Sequence, residues 1–505
     1  MPSFLLGLDA GTSVIKAALF GRDGRQRAAA SRRTTISHPH PAWSESDPET
    51  AWAATVAVIR EVLAAAGADG SAVAAIGVAG AMVGAWVIDA GGRPLRPGIL
   101  WDDGRSQPWI EAKLADDPGF LSRVFASSGS VMQQGCTLPV LRWLLDHEPE
   151  VMARADCVFG CKDYLRFRLT GHRAGDPTEA AVAPGDARSQ GRSEAMLDLF
   201  GLGPHRRLLP PVLPSEAVAG AVTAEAAAET GLRAGTPVVT GAGDVAASVI
   251  GSGGLVPGSA CTVLGTTCLN GIVLDAPSFT PPDLGLLFSL PGRLWLRCMV
   301  NVAGTSNLDW CLRSLCPGLA RDPDPYAALE AVAEAAPPGA GGAVYLPYLS
   351  EVGIIAPAVS AAARAQFAGL VPGHGRPELV RAVYEGVAYS IRDCFAAMAE
   401  RPESVLLSGG GTRSRFWSQM IADVLGLPVE IPDGSEYGAC GAALLAGTGI
   451  GWYPSIGEAS RRVRSIRRVH RPDPTLREAY DAAYRRYGAH RDALLRMPAG
   501  MSDLS

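Results

Sequence analysis

Residues 3–20 read SFLLGLDAGTSVIKAALF. Two apolar runs of strand length, Ser3–Leu8 and Val14–Phe20, flank a tip of small and polar residues, Asp9-Ala10-Gly11-Thr12-Ser13, so the stretch reads as a hairpin with a polar end. A second copy of the arrangement lies at 261–274, CTVLGTTCLNGIVL, with Gly265-Thr266-Thr267 at its tip and no aspartate. A Gly-Thr turn between two strands is common by itself. One at the head of each half of the chain suggests two lobes that open alike.

Around these hairpins, strands and helices alternate, which argues for an α/β architecture. Glu49–Ala66 has helical spacing, with Ser46 or Asp47 as cap and Pro48 in the first turn. Ala74–Ala79 and Gly84–Asp89 read as strands, Thr223–Thr230 as a helix and Thr236–Thr240 as a strand. The glycine-dense stretch Gly241–Gly258 reads as loop, helix start and loop, and the lobes are divided there, into 1–248 and 249–505. Further on, Tyr384–Met398 reads as a helix and Ser404–Leu407 as a strand. Gly409-Gly410-Gly411 makes a tight turn, and Ser414–Gly426 and Gly438–Gly447 are helices. Residues 336–343 (APPGAGGA) read as a flexible connector, and those after Met497 as disordered.

A chain of 505 residues is too long for one hydrophobic core, and 48% hydrophobic against 19% charged residues supplies a buried interior. A net charge of -5 provides no basic field for nucleic acid. The run Arg461–Arg468 (RRVRSIRR) reads as a solvated face. Ten cysteines without a Cys-x-x-Cys pair argue against a zinc site. Scattered free thiols suit a reducing cytosol, so the expected location is cytoplasmic. The start MPSFLLGLDAGT lacks a basic region before its apolar run and does not read as a signal peptide. No uninterrupted apolar stretch of about 18 residues occurs, so no membrane span is expected.

Phosphoryl transfer requires backbone donors against phosphate oxygens, an acid for magnesium, a carboxylate to take the hydroxyl proton, and closure against water. Gly11-Thr12-Ser13 and Gly265-Thr266-Thr267 offer N–H and O–H groups to a polyphosphate. Asp9, at a strand end, offers a carboxylate for a water-bound magnesium ion, or a turn cap. Lys16 reads equally as a phosphate contact and as an exposed strand lysine. Asp244, in the run Thr240-Gly-Ala-Gly-Asp-Val-Ala-Ala247, stands before an apolar helix among small residues that leave room for a ligand. It is the best candidate for the base, although taken alone it reads as a helix cap. Gly409-Gly410-Gly411 permits a flat ligand or a phosphate to approach backbone. No Walker-type phosphate loop, dinucleotide fingerprint or nucleophile elbow is present.

In this order the pieces resemble the FGGY carbohydrate kinases, members of the actin and hexokinase ATPase superfamily, over nearly the whole chain. The resemblance rests on Gly7-Leu-Asp-Ala-Gly-Thr-Ser13, Trp43-Ser-Glu-Ser-Asp-Pro48, Pro94–Arg105, Lys162-Asp-Tyr-Leu165, Gly241-Ala-Gly-Asp244, Leu264-Gly-Thr-Thr267, Leu346-Pro-Tyr-Leu349, Glu385-Gly386, Ser408-Gly-Gly-Gly411 and Glu436–Ala443. It implies two ribonuclease-H-like lobes around a central cleft, ATP and Mg²⁺ as cofactors, and a small sugar or polyol as substrate. By resemblance Asp244 is the base, Asp9 and Asp244 are the magnesium-associated acids, and the Gly265 hairpin grips phosphate. Gly304, Gly410, Gly411 and Ser414 match positions around the nucleotide. Trp101 and the loop Ala81-Met82-Val83-Gly84 match the wall of the sugar site.

The departures lie on the sugar side. D-xylulose kinases typically read Gln-Met-His-Gly where this chain has Ala81-Met82-Val83-Gly84, so a hydroxyl-reading group is replaced by valine. An unpaired buried hydroxyl costs about 1–3 kcal/mol. The resemblance therefore implies transfer to a ketopentose such as xylulose, with L-xylulose, ribulose or a polyol such as erythritol as alternatives. A sugar sensor that kept the fold and lost the chemistry is the alternative of another class. A homodimer, common among relatives, is left open.

Overall fold

The computed structural model describes residues 2–496, so the expectation of disorder after Met497 lies outside the described residues. The first lobe opens with strand β1 (Phe4–Ala10), which turns through Gly11-Thr12-Ser13 into antiparallel β2 (Val14–Gly21); Leu5 pairs with Phe20 and Asp9 with Lys16. A third antiparallel strand, β3 (Gln26–Arg33), follows on the outer edge. Helix α1 (Pro48–Ala65) starts where the sequence places it, with the Asp47 carboxylate accepting from the Thr50 N–H at 2.8 Å. Strand β4 (Val73–Gly80) then returns parallel to β1. After helix α2 (Cys161–Thr170), β5 (Val218–Ala221) and β6 (Pro237–Val239) complete the order β5-β6-β4-β1-β2-β3, and helix α3 (Asp244–Gly251) leaves the sheet.

The second lobe repeats this plan. β7 (Ala260–Leu264), β8 (Cys268–Leu274), β9 (Leu286–Leu290) and β10 (Leu294–Asn301) form an antiparallel run in which β10 pairs with β8 and β9 lies outside β10. Helix α4 (Arg376–Ala397) leads to β11 (Val405–Ser408), parallel to β7. Helix α5 (Arg415–Leu425), β12 (Val429–Pro432), helix α6 (Tyr437–Gly449), β13 (Ile466–His470) and helix α7 (Arg477–Leu495) follow, giving the order β9-β10-β8-β7-β11-β12-β13. In both sheets an antiparallel run of strands is extended by a parallel strand beside its first member. The chain thus has two ribonuclease-H-like lobes of the actin-like ATPase type.

The lobes share an interior layer made by α3 and α6. Helix α6 lies in the chain between β12 and β13 of the second sheet but packs across β1 and β4 of the first. Glycines make this approach possible. A Cβ on Gly7 or Gly77 would collide with the carbonyl of Ala439 or Ala442, and one on Gly441 with the carbonyl of Ala247. All ten cysteines are free thiols.

Two expectations need correction, and one strand escaped the sequence reading. The segment 336–343 is not a free connector: the Gly339 N–H donates to the buried Glu385 carboxylate at 2.9 Å, and Ala340 is fully buried. Helix α4 begins at Arg376 rather than Tyr384, because Pro377 starts the helix and Glu378 caps it from within. The hydrophobic pattern also missed β3, whose QRAAASRR is largely exposed and lacks a continuous apolar face.

Candidate active site

Parallel strands end together, and in open α/β sheets ligands bind beyond the carboxyl ends. Here β1 and β4 run in register, with Asp9 beside Ala79 and Ala10 beside Gly80. The short strand Ala242–Gly243 joins the same edge, with Gly243 beside Gly80. Asp9, the 81–84 loop and Asp244 therefore emerge from one edge of the first sheet. In the second lobe Val263 pairs with Ser408, so the Gly265 hairpin and the 409–411 turn emerge together as well.

These edges face one cleft. A cavity of ≈ 550 Å³ is lined by Asp9, Gly11, Ser13, Lys16 and Asp244 from the first half of the chain and by Gly265, Thr267, Ser408 and Tyr437 from the second. A neighbouring cavity of ≈ 250 Å³ is bounded by Ala81, Met82, Val83, Trp101, Gln133, Val182, Asp244 and Phe288. Asp244 belongs to both. A third cavity, ≈ 440 Å³, lies between Thr305, Tyr326, Glu330, Tyr384, Gly410, Gly411, Arg413, Ser414 and Trp417. The expected sugar wall, polyphosphate grip and nucleotide turn thus occupy three separate hollows, the first two meeting at one carboxylate.

Asp244 is the first residue of α3, with Gly243 in the cap position. Its carboxylate accepts from the adjacent Val245 N–H at 2.8 Å. Burial and the negative charge of Asp9 push its carboxyl up to about 7. Asp9 is raised too, by burial first, while Lys16 lowers it and Glu436 raises it. One Asp9 oxygen is buried without a hydrogen bond, which a turn cap would not leave. Gly438 lies so close that a Cβ there would strike the Asp9 carboxylate. Lys16 is not a free strand lysine: its ammonium pairs with Glu436 at 3.0 Å, joining β2 to the residue before α6.

Three expected contacts do not line the hollows. Thr12 turns aside, its hydroxyl accepting from the Trp101 indole N–H at 2.9 Å. Thr266 is exposed, its carbonyl accepting from Ser306. Gly304 packs under the Gly265 hairpin, where a Cβ would meet the carbonyls of Gly265 and Thr266, and Thr305 donates to Gly265 at 2.7 Å. Thr12 and Gly304 shape the hairpins from behind.

The residues that sequence reasoning missed lie behind the smaller cavity and around the third. Helix 177–182 presents Thr178 and Glu179, and the Glu179 carboxylate accepts from the Val83 N–H at 2.6 Å. Its carboxyl is pushed up to about 8 by burial, against the pull of Lys162 and with the push of Asp163 and Asp176. The signal in the sequence is Asp176-Pro177, a helix start that brings acidic residues into an alanine-rich segment. Tyr326, Tyr384 and Trp417 of the third cavity carry no local motif. Among the described residues no group of three or more His, Cys, Asp or Glu side chains could hold a metal ion. No helix among them is long and apolar enough to cross a membrane.

The N-terminal domain model of the FGGY family of carbohydrate kinases matches residues 4–251 and the C-terminal domain model residues 260–450. The chain is 37% identical over 484 residues to the xylulose kinase of Escherichia coli K12, covering 94% of this chain and 96% of that one. It is 33% identical over 470 residues to the erythritol kinase of Brucella abortus, covering 90% and 88%. A crystal structure described as a xyloylose kinase from Brucella ovis superposes with a TM-score of 0.87 at 33% identity, covering 97% of this chain and 99% of that one.

Proposed function

We propose that this chain, which belongs to the FGGY family of carbohydrate kinases and is thus a phosphotransferase, moves the γ-phosphate of ATP to a hydroxyl of a small sugar, a ketopentose such as xylulose. The observation behind this reading is the position of Asp244, whose carboxylate lines both the polyphosphate cleft and the smaller pocket. A hydroxyl in the smaller pocket would meet Asp244 on the side facing the phosphate. Asp244 takes the hydroxyl proton as the oxygen attacks, and a carboxyl near neutrality suits that exchange. Gly11, Ser13 and Lys16 on one side, with Gly265 and Thr267 on the other, hold the polyphosphate. Gly410, Gly411 and Ser414 serve the nucleoside end. Met82, Val83 and Trp101 form the sugar wall, and Trp101, 43% exposed, leaves its ring free to cover a ligand.

The residues fit Mg²⁺. Magnesium takes one or two carboxylates beside substrate phosphates, and Asp9 has a buried oxygen with no other partner. Asp9 and Asp244 would hold the ion, which when bound neutralises phosphate charge. We place the functional division at 1–248 for sugar and base and 249–505 for nucleotide. The enzyme is placed in the cytoplasm, in keeping with ten free thiols, and a homodimer is its proposed assembly.

Erythritol or another polyol, L-xylulose and ribulose are the alternative acceptors, supported by the apolar Val83 at the pocket wall. No feature of the cleft favours a sensor that has lost the chemistry. Coupled ADP release with Mg·ATP against ketopentoses and tetritols tests the reading. Turnover on a ketopentose above all others is expected. Preference for a tetritol would transfer the assignment to a polyol kinase, and ADP release independent of any sugar would overturn it.

A further inference from the structure

We propose that Thr178 and Glu179, neighbours on the short helix Pro177–Val182, are positioning residues that together fix the two backbone segments between which the acceptor sits. The inference rests on the sugar-kinase reading of the smaller cavity. One wall of that cavity is the 81–84 loop and the other the start of α3, which bears Asp244. Each is tied to the same helix by a single side chain. Glu179 accepts from the Val83 N–H at 2.6 Å, and the Thr178 hydroxyl oxygen accepts from the Gly243 N–H at 2.8 Å, one residue before Asp244.

Neither tie is casual. Val83 stands at φ 58, in the left-handed region that a β-branched residue avoids, so its conformation needs an outside restraint. Glu179 supplies it from a buried site, and Gly160 leaves the room its carboxylate takes, since a Cβ there would lie 2.9 Å from the Glu179 oxygen. The Thr178 hydroxyl hydrogen is directed at Asp176, so its lone pairs remain for Gly243. Asp176 in turn is held by the buried ammonium of Lys162, which also pairs with Asp163 at 2.7 Å. The chain of contacts runs from α2 through one turn of helix to both walls, and neither Thr178 nor Glu179 lines the acceptor cavity.

Such an arrangement separates two kinetic effects. Loosening the Val83 wall weakens acceptor binding, whereas loosening Gly243 misplaces the base and slows the chemical step. Glu179→Leu removes the acceptor atom, and Glu179→Gln retains an oxygen for Val83. Glu179→Leu is expected to raise the KM for the acceptor by roughly 5–100-fold, the cost of leaving the buried Val83 N–H unpaired, with the KM for ATP unchanged. Glu179→Gln is expected to restore the acceptor KM to within about 3-fold of wild type on the same scale. Thr178→Val should lower kcat about 10-fold with the acceptor KM held, and Thr178→Ser should recover it.

Equal rises in the KM for ATP and for the acceptor in Glu179→Leu, or failure of Glu179→Gln to rescue, would overturn the proposal. If Glu179→Leu does not fold, Thr178→Val carries the test, and an unchanged kcat there decides against it. Wild-type enzyme without sugar-dependent turnover would count against the kinase reading itself, whereas an active wild type with unaffected variants would count against this inference alone.

Discussion

The Trp101 indole N–H donates to the Thr12 hydroxyl at 2.9 Å, so the wall of the smaller cavity is bonded to the tip of the hairpin beside the larger one. The loop behind Trp101 is itself anchored. Asp103 accepts from the Ser44 N–H at 2.7 Å, and the Arg105 guanidinium pairs with Asp103 and Glu45 while lying 3.9 Å from the centre of the Trp43 ring. Displacing the hairpin tip would therefore be felt at the wall of the smaller cavity.

Thr12→Val and Trp101→Phe each remove the bond, the first at constant shape and the second with a smaller ring. Each is expected to lower kcat/KM for the acceptor, and the double variant to lose less than the sum of the two. The coupling should be about 0.5–1.5 kcal/mol, read from a double-mutant cycle. Strict additivity would show that the bond plays no part.

The buried carboxyls set opposite pH demands on activity and stability. A base held near 7 is protonated below that value, so kcat/KM for the acceptor should climb with pH up to about 7 and then level off. Stability runs the other way. Asp244 and Glu179 bind protons in the folded chain up to about 7 and about 8, whereas in the unfolded chain they release them near 4. Between those values the folded state holds more protons, so stability falls as pH rises. Thermal melts of Asp244→Asn should exceed wild type by a few degrees at pH 8 and converge with it toward pH 4. A gap that widens in acid would contradict this.

Val83 lies where the xylulose-kinase pattern has histidine, and its positive φ is one that histidine adopts more readily. Val83→His is therefore expected to raise kcat/KM for D-xylulose relative to erythritol by roughly 5–100-fold, the worth of one buried hydroxyl partner. The ratio of the two specificity constants checks it.

Where two helices touch through glycine, the packing has no slack. Gly441→Ala would drive a methyl into the Ala247 carbonyl on α3, the helix that carries Asp244. A loss of about 1–3 kcal/mol is expected from this overpacking, measured by denaturant unfolding, together with a lower kcat as α3 shifts.

The hairpins and glycine turns were legible in the sequence because local chemistry dictates them: apolar runs broken by Gly-Thr tips have few alternatives. Asp9 and Asp244 stood out as acids among small residues, and the fold brings both to one cavity. Thr178 and Glu179 were not legible, since their importance lies in contacts with Gly243 and Val83, 65 and 96 positions away. Thr12, Thr266 and Gly304 sit in the right motifs but line none of the three hollows: Thr12 bonds Trp101, Thr266 is exposed and Gly304 packs under the Gly265 hairpin. Strand β3 escaped notice because it lies at the sheet edge with no fully buried residue, so no apolar alternation marks it.

Asp244 as the base is tested most directly by steady-state ADP release with Mg·ATP and the preferred sugar, comparing wild type with Asp244→Asn. Asparagine preserves size and the bond from Val245 but accepts no proton. The expected result is a kcat lower by roughly 10²–10⁴-fold with ATP still bound; a kcat within a few-fold of wild type would contradict the assignment of Asp244 as the base.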